Sequence, residues 1–206
     1  HVWSMEMLAY AALIDGDHAT CEALCEIALA ARPDNAFNHL VLGDLRNAKA
    51  DPEGMLKAYE RAIELEPSRA PHVLFRRVEA LTRLGRHADA VALLAAAPAE
   101  LQPARVQAAL AEAALGAGDA EVALAAAKAL AAIGGHESSG AALEAAALRL
   151  ADRREEARAA IDRALDHDVA CARAHYERGR LLAEANDLPA VLGAFGKERP
   201  SMTLSA

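Results

Sequence analysis

Gly85-Arg86-His87-Ala88-Asp89-Ala90 and Gly118-Asp119-Ala120-Glu121-Val122-Ala123 decide the fold of this chain. Each is a turn followed by a small residue five positions after its glycine, and the motif begins earlier, at Gly16-Asp17-His18-Ala19-Thr20-Cys21. Ala50 to Met55, Asp152 to Ala157 and Asn186 to Val191 repeat it with the glycine replaced. The closing residues are Cys21, Met55, Ala90, Ala123, Ala157 and Val191, so successive copies lie 34, 35, 33, 34 and 34 residues apart. Ala28-Leu29 with Pro33, and Ala62-Ile63 with Pro67, mark the same 34-residue step. A fixed period of this length denotes a stack of identical supersecondary units.

Two further sets keep the register: Ala9, Gly43, Val78, Ala111, Ala145, Gly179, and Ala28, Ala62, Ala97, Leu130, Ala164, Glu198. With the closing residues they make eighteen positions, of which thirteen are Ala, Gly or Cys. Composition alone would place about six such residues there, Ala numbering 55 of 206. Small side chains let paired helices approach closely. This pattern resembles the tetratricopeptide repeat, over about six copies and essentially the whole chain. The resemblance implies an all-α, right-handed superhelical α-solenoid of antiparallel helix pairs, about twelve helices in one array over residues 1–200. The repeats lie near 2–35, 36–69, 70–102, 103–136, 137–170 and 171–200, and 201–206 form a tail or a junction to a further segment.

First helices are expected near 2–14, 36–48, 71–84, 104–116, 139–151 and 172–185. Second helices are expected near 18–31, 53–66, 87–97, 120–133, 154–167 and 188–198. Pro98 should end the sixth helix early. Gly134-Gly135 should end the eighth, with Ser138 or Ser139 capping the next. The irregularity between the third and fifth repeats predicts a change of superhelical pitch. The aromatic usual early in the first helix is replaced by Met5, His39, Leu74, Gln107, Ala141 and His175.

Composition narrows function. The net charge is −8, with 30 acidic against 22 basic residues, which argues against a nucleic-acid footprint. No charge-free stretch reaches membrane-spanning length, so no membrane insertion is expected. Cys21, Cys25 and Cys171 have no metal-finger spacing and read as buried small residues. His18, His87, His39 and His175 read as packing residues, and Gly116 to Asp119 and Gly134 to Gly140 as turns between helices. No metalloprotease, dinucleotide, phosphate-loop or nucleophile-elbow motif occurs, so this segment is read as non-enzymatic and cofactor-free. A start without Met and without a signal peptide suggests a segment of a longer, cytoplasmic protein.

What remains is surface. By position in the repeat, the partner-binding groove comprises Trp3, Met7, Tyr10, Phe37, Leu40, Val41, Asp44, Phe75, Arg76, Glu79, Arg83, Glu112, Arg149, Arg173, Tyr176 and Arg180. Glu6, His72, Arg105 and Leu143 also face it. Aromatic and Arg side chains are the types enriched in binding hot spots. The groove is expected to be apolar and acidic toward the N-terminal end and richer in Arg toward the C-terminal end. The implied function is a protein-interaction scaffold holding a peptide or partner domain. The alternative is the N-terminal recruiting arm of a larger bacterial enzyme, since similar arrays are fused to sulfotransferase, glycosyltransferase or 2-oxoglutarate-dependent hydroxylase domains. Chaperone-tail binding is rejected, because Glu6, Tyr10 and Asp44 stand where that subclass places Lys and Asn. The apolar run Leu188 to Phe195 suggests self-association or docking through the C-terminal helix.

Overall fold

The computed structural model describes residues 2–98 and 101–185, side chains from Ser4 onward. The described residues form eleven α-helices and one 3-10 turn, with no strand. The helices are α1 (Val2–Ile14), α2 (His18–Ala31), α3 (Ala36–Ala48), α4 (Pro52–Leu65), α5 (Ala70–Arg83) and α6 (His87–Ala95). They continue with α7 (Pro103–Ala117), α8 (Ala120–Ala131), α9 (Glu137–Leu150), α10 (Arg154–His167) and α11 (Ala172–Glu184). The helix expected over 188–198 lies outside the described residues, as do Val191 and Glu198. The chain divides into two compact units, His1–Leu101 and Gln102–Ala206.

The recurring turn does two jobs. Its first residue adopts the left-handed conformation in all five described copies: Gly16 (φ 77°), Ala50 (56°), Gly85 (71°), Gly118 (78°) and Asp152 (57°). The following N–H then donates back five residues, from Asp17, Asp51, Arg86, Asp119 and Arg153 to Ala12, Arg46, Leu81, Ala114 and Leu148, at 2.8–2.9 Å. This closes the first helix by satisfying carbonyls its end leaves free. Where the second residue is Asp, its carboxylate opens the next helix. Asp17 accepts from the Thr20 N–H at 3.1 Å, Asp51 from Gly54 at 2.9 Å and Asp119 from Val122 at 3.1 Å. A two-residue signal therefore reverses the chain in each of the five described copies.

Packing follows the small-residue register. Every described member of the three sets is buried except Ala97. Pro98 accounts for the exception: α6 stops at Ala95, so Ala97 lies past the helix and is half-buried. In unit 1, α2 packs on α3 and α4 on α5; in unit 2, α8 packs on α9 and α10 on α11. Ala9, Cys21, Cys25, Val41 and Leu45 form one core cluster; Ala111, Ala126, Ala127, Leu130 and Leu143 form another. Gly43 meets the ring of Tyr59, where an added Cβ would stand 2.5 Å from Cε1.

One capping expectation fails. Helix α9 begins at Glu137, preceded by His136, so Ser138 and Ser139 lie inside its first turn. Gly135 (φ 84°) completes the reversal early enough for the helix to start there. The Ser138 hydroxyl instead donates to the Ala164 carbonyl of α10 at 2.9 Å.

Candidate interaction surface

Three first helices, α1, α3 and α5, supply the candidate surface of unit 1. Tyr10 is 43% exposed and meets half-buried Phe37 edge-on, ring centroids 6.1 Å apart at 61°. Met7, three residues before Tyr10 on α1, is exposed, and Leu40 and Phe75 are half-buried. Val41 does not belong to the surface. It is 2% exposed within the core cluster, because its slot on α3 faces the neighbouring second helix. Trp3 lies outside the described side chains.

The polar residues of this side form a ladder between repeats. Buried Tyr59 of α4 donates its hydroxyl to Asp44 at 2.5 Å. Burial pushes the Tyr59 phenol well above its ordinary range, and the Asp44 bond and charge add to this. Arg76 of α5 approaches the same Asp44 carboxylate at 3.8 Å. Arg83 pairs with Glu79 at 2.6 Å and donates to Asn47 of α3 at 2.8 Å.

Glu6 departs from its expected place. It is 3% exposed and accepts from Arg32 and, at 2.8 Å, from Asn35, so it locks α1 to the chain leaving α2. No local sequence signal announces this, since the partners lie 26 and 29 residues away.

In unit 2, Arg173 of α11 reaches Glu112 of α7 at 2.7 Å, across the position of α9. Both border a pocket of about 410 Å³ whose lining includes Arg105, His136, Leu130 and Leu143. Arg149, only 12% exposed, bonds buried Glu177 at 2.8 Å and Glu184 at 2.9 Å, so it serves the packing of α9 on α11. Tyr176 is 56% exposed, with the Arg180 guanidinium 5.8 Å from its ring centroid.

The four histidines read as packing residues are all half-buried. His39 and His175, in the early aromatic slot, each hold a carbonyl of the preceding loop at 2.8 Å, that of Pro33 and Val169. Cys21 and Cys25 are buried with sulfurs 4.0 Å apart, and burial pushes the Cys25 thiol up to about 12. Cys171 is half-exposed. Among the described residues, no cluster of three or more His, Cys, Asp or Glu could hold a metal ion, and no helix is long and apolar enough to cross a membrane.

Solved structures share this fold. A tetratricopeptide repeat protein from Parabacteroides merdae superposes with a TM-score of 0.81 at 13% identity, over 95% of this chain and 78% of that one. The chain has the tetratricopeptide-repeat fold. PilW, a type IV pilus biogenesis factor, gives a TM-score of 0.69 at 17% identity over 99% and 94% of the two chains. Pseudomonas aeruginosa PilF gives 0.63 at 20% over 95% and 89%. No family model and no curated protein matches the sequence.

Proposed function

We propose that the chain is a protein-interaction scaffold that holds a peptide or partner segment along its first helices. One observation carries this reading. Exposed Tyr10 meets Phe37 edge-on, and on the same α3 helix, about two turns from Phe37, Asp44 pairs with Arg76 of α5, in a chain with 3% aromatic residues. Aromatic and Arg side chains carried on one set of first helices are the types enriched in binding hot spots. Tyr176 and Arg180 offer a second such pair in unit 2. The type IV pilus factor and other neighbours support the fold on which this surface stands, not a particular partner. A recruiting arm of a larger modifying enzyme would use the same surface, with its substrate proteins as the captured partners.

The test is affinity capture with two double variants, Tyr10→Ala/Arg76→Ala and Tyr176→Ala/Arg180→Ala, each checked for native circular dichroism. A partner held by the native chain and weakened at least about ten-fold by one variant supports the reading. Equal retention by the native chain and both variants overturns it.

A further inference from the structure

Helix α9 departs from the other first helices in the slots of the candidate surface. Arg105, Ala108 and Glu112 of α7 recur 34 residues on as Ser139, Ala142 and Ala146, and after a further 34 as Arg173, Tyr176 and Arg180 of α11. The same three slots hold Phe37, Leu40 and Asp44 in α3, and His72, Phe75 and Glu79 in α5. Among the described first helices, α9 alone has neither an aromatic nor a charged residue in them. Its small side chains leave a depression between α7 and α11. Arg173 reaches across it to Glu112 at 2.7 Å.

The pocket of about 410 Å³ lies there, with buried Leu130 and Leu143 at its base. Its size is that of a ligand site. Its wall carries two guanidinium groups, Arg105 and Arg173, against one carboxylate, Glu112, in a chain of net charge −8. That carboxylate is not fixed in place. The Glu112 and Arg173 side chains are 57% and 39% exposed, and pairs so exposed contribute little to stability. Arg149 and Glu177, at 12% and 3%, are a fixture by contrast, since parting them strands a buried charge. Glu112 takes one hydrogen bond from Arg173, through Nη2. A guanidinium can give two in parallel to one carboxylate, so an incoming acid can displace Glu112 at small cost.

We propose that this pocket seats a Glu or Asp side chain of a partner peptide, next to an aliphatic residue, with the acid taking the place of Glu112 at Arg173. The proposal rests on the scaffold reading and names the ligand chemistry of its unit 2 surface. The aliphatic residue covers the Leu130–Leu143 base. The acid answers the excess of guanidinium groups in the wall, where a basic side chain would meet like charge. Glu112 is the built-in competitor: it holds Arg173 while the pocket is empty and sets the threshold a ligand acid must exceed.

Random peptides displayed at the N-terminus of a phage coat protein test this, because they offer no free C-terminal carboxylate. Selection on the native chain should enrich an acid beside Leu, Ile or Val. A selected peptide, synthesised with both ends blocked, is then measured by fluorescence anisotropy. It is also measured by its slowing of maleimide attack on Cys171, which lines the pocket. Exchanging its Glu for Gln should weaken binding to the native chain at least about ten-fold. On Arg173→Gln, with the helical spectrum unchanged, the exchange should make little difference, and Arg173→Lys should restore part of the preference. Glu112→Gln should tighten the Glu peptide about two- to five-fold and leave the Gln peptide unchanged, which loss of a merely structural pair would not do. Enrichment of no peptide, or of Lys or Arg in place of acids, overturns the proposal. So does an acid preference that survives Arg173→Gln, or a bound peptide that leaves Cys171 equally reactive. Peptides without an acid preference that Tyr176→Ala/Arg180→Ala releases would overturn it and leave the scaffold reading standing; peptides indifferent to every first-helix variant would overturn both.

Discussion

Gly43→Ala is the sharpest probe of how this fold is held. Built on the existing backbone, the new Cβ would lie 2.5, 2.8 and 2.9 Å from Cε1, Cδ1 and Cζ of Tyr59. Carbon atoms pack comfortably at about 3.5–4.0 Å, so the ring must retreat by about 1 Å. It has no free direction: Tyr59 is 1% exposed and its hydroxyl is held by Asp44. Overpacking of this kind costs about 1–3 kcal/mol. Losing the hydroxyl bond adds about 1 kcal/mol. Replacing glycine within a helix returns about 1 kcal/mol. The net loss is about 1–3 kcal/mol, and each kcal/mol lowers Tm by about 2–4 °C at this size.

Thermal unfolding followed at 222 nm measures the shift. A Gly43→Ala/Tyr59→Leu double variant should be more stable than the sum of the singles predicts, because the smaller side chain removes the clash. Gly140→Ala should cost more than Gly43→Ala, since its Cβ would meet the backbone nitrogen and Cα of Ala131, which cannot rotate aside. A neutral or stabilising Gly43→Ala, strict additivity in the double variant, or the reverse ranking of the two glycines would refute the close-approach account.

Ala50→Gly should raise stability by about 1 kcal/mol, read from the urea midpoint, because Ala50 alone of the Ala residues described sits at a left-handed φ of 56°. A maleimide label should modify Cys171 in the native chain while Cys21 and buried Cys25, its thiol pushed up to about 12, react only on unfolding; intact-mass counting distinguishes one adduct from three. The Lys49 bond and charge hold Glu22 below the ordinary carboxylate range. Its folded pKa is the lower one, so its contribution is complete above about pH 4.3 and is lost as pH falls through the folded value. Lys49→Met should therefore flatten the acid limb of the stability–pH curve below about pH 4.3, and an unchanged limb would remove Glu22 as its source.

How far the sequence was readable differs between levels. The turn positions and the small-residue sets are local and periodic, so helix order and register could be read directly, to within one or two residues at most ends. Helix α6 ended early because Pro98 is a local signal too. Ser138 misled because a hydroxyl near a helix start can accept from a backbone N–H as a cap or donate to a distant carbonyl, and the carbonyl of Ala164 lies 26 residues away. The surface was less legible for the same reason. Tyr10, Arg76, Tyr176 and Arg180 are exposed where their slots predict, but Val41 is core and Arg149 is nearly buried. Which side of a first helix meets solvent depends on helices distant in sequence. Glu6 with Arg32 and Asn35, and Glu177 with Arg149, are long-range pairs that no spacing rule exposes.

This separation suggests where recognition resides in the fold. One turn signal and three small-residue slots per repeat suffice to stack the helices, and they leave most outward positions unconstrained. A position that merely faces solvent has no reason to be apolar, and a position that merely fills a core has no reason to be charged. Each repeat therefore supplies its own reference for the others. Against α4, whose exposed slots are Glu53, Lys57, Arg61 and Glu64, the Ala, Ala, Ile and Ala of α2 are a departure that stacking does not require. The repeat register thus turns an ordinary observation, an apolar residue in water, into a departure that can be located slot by slot.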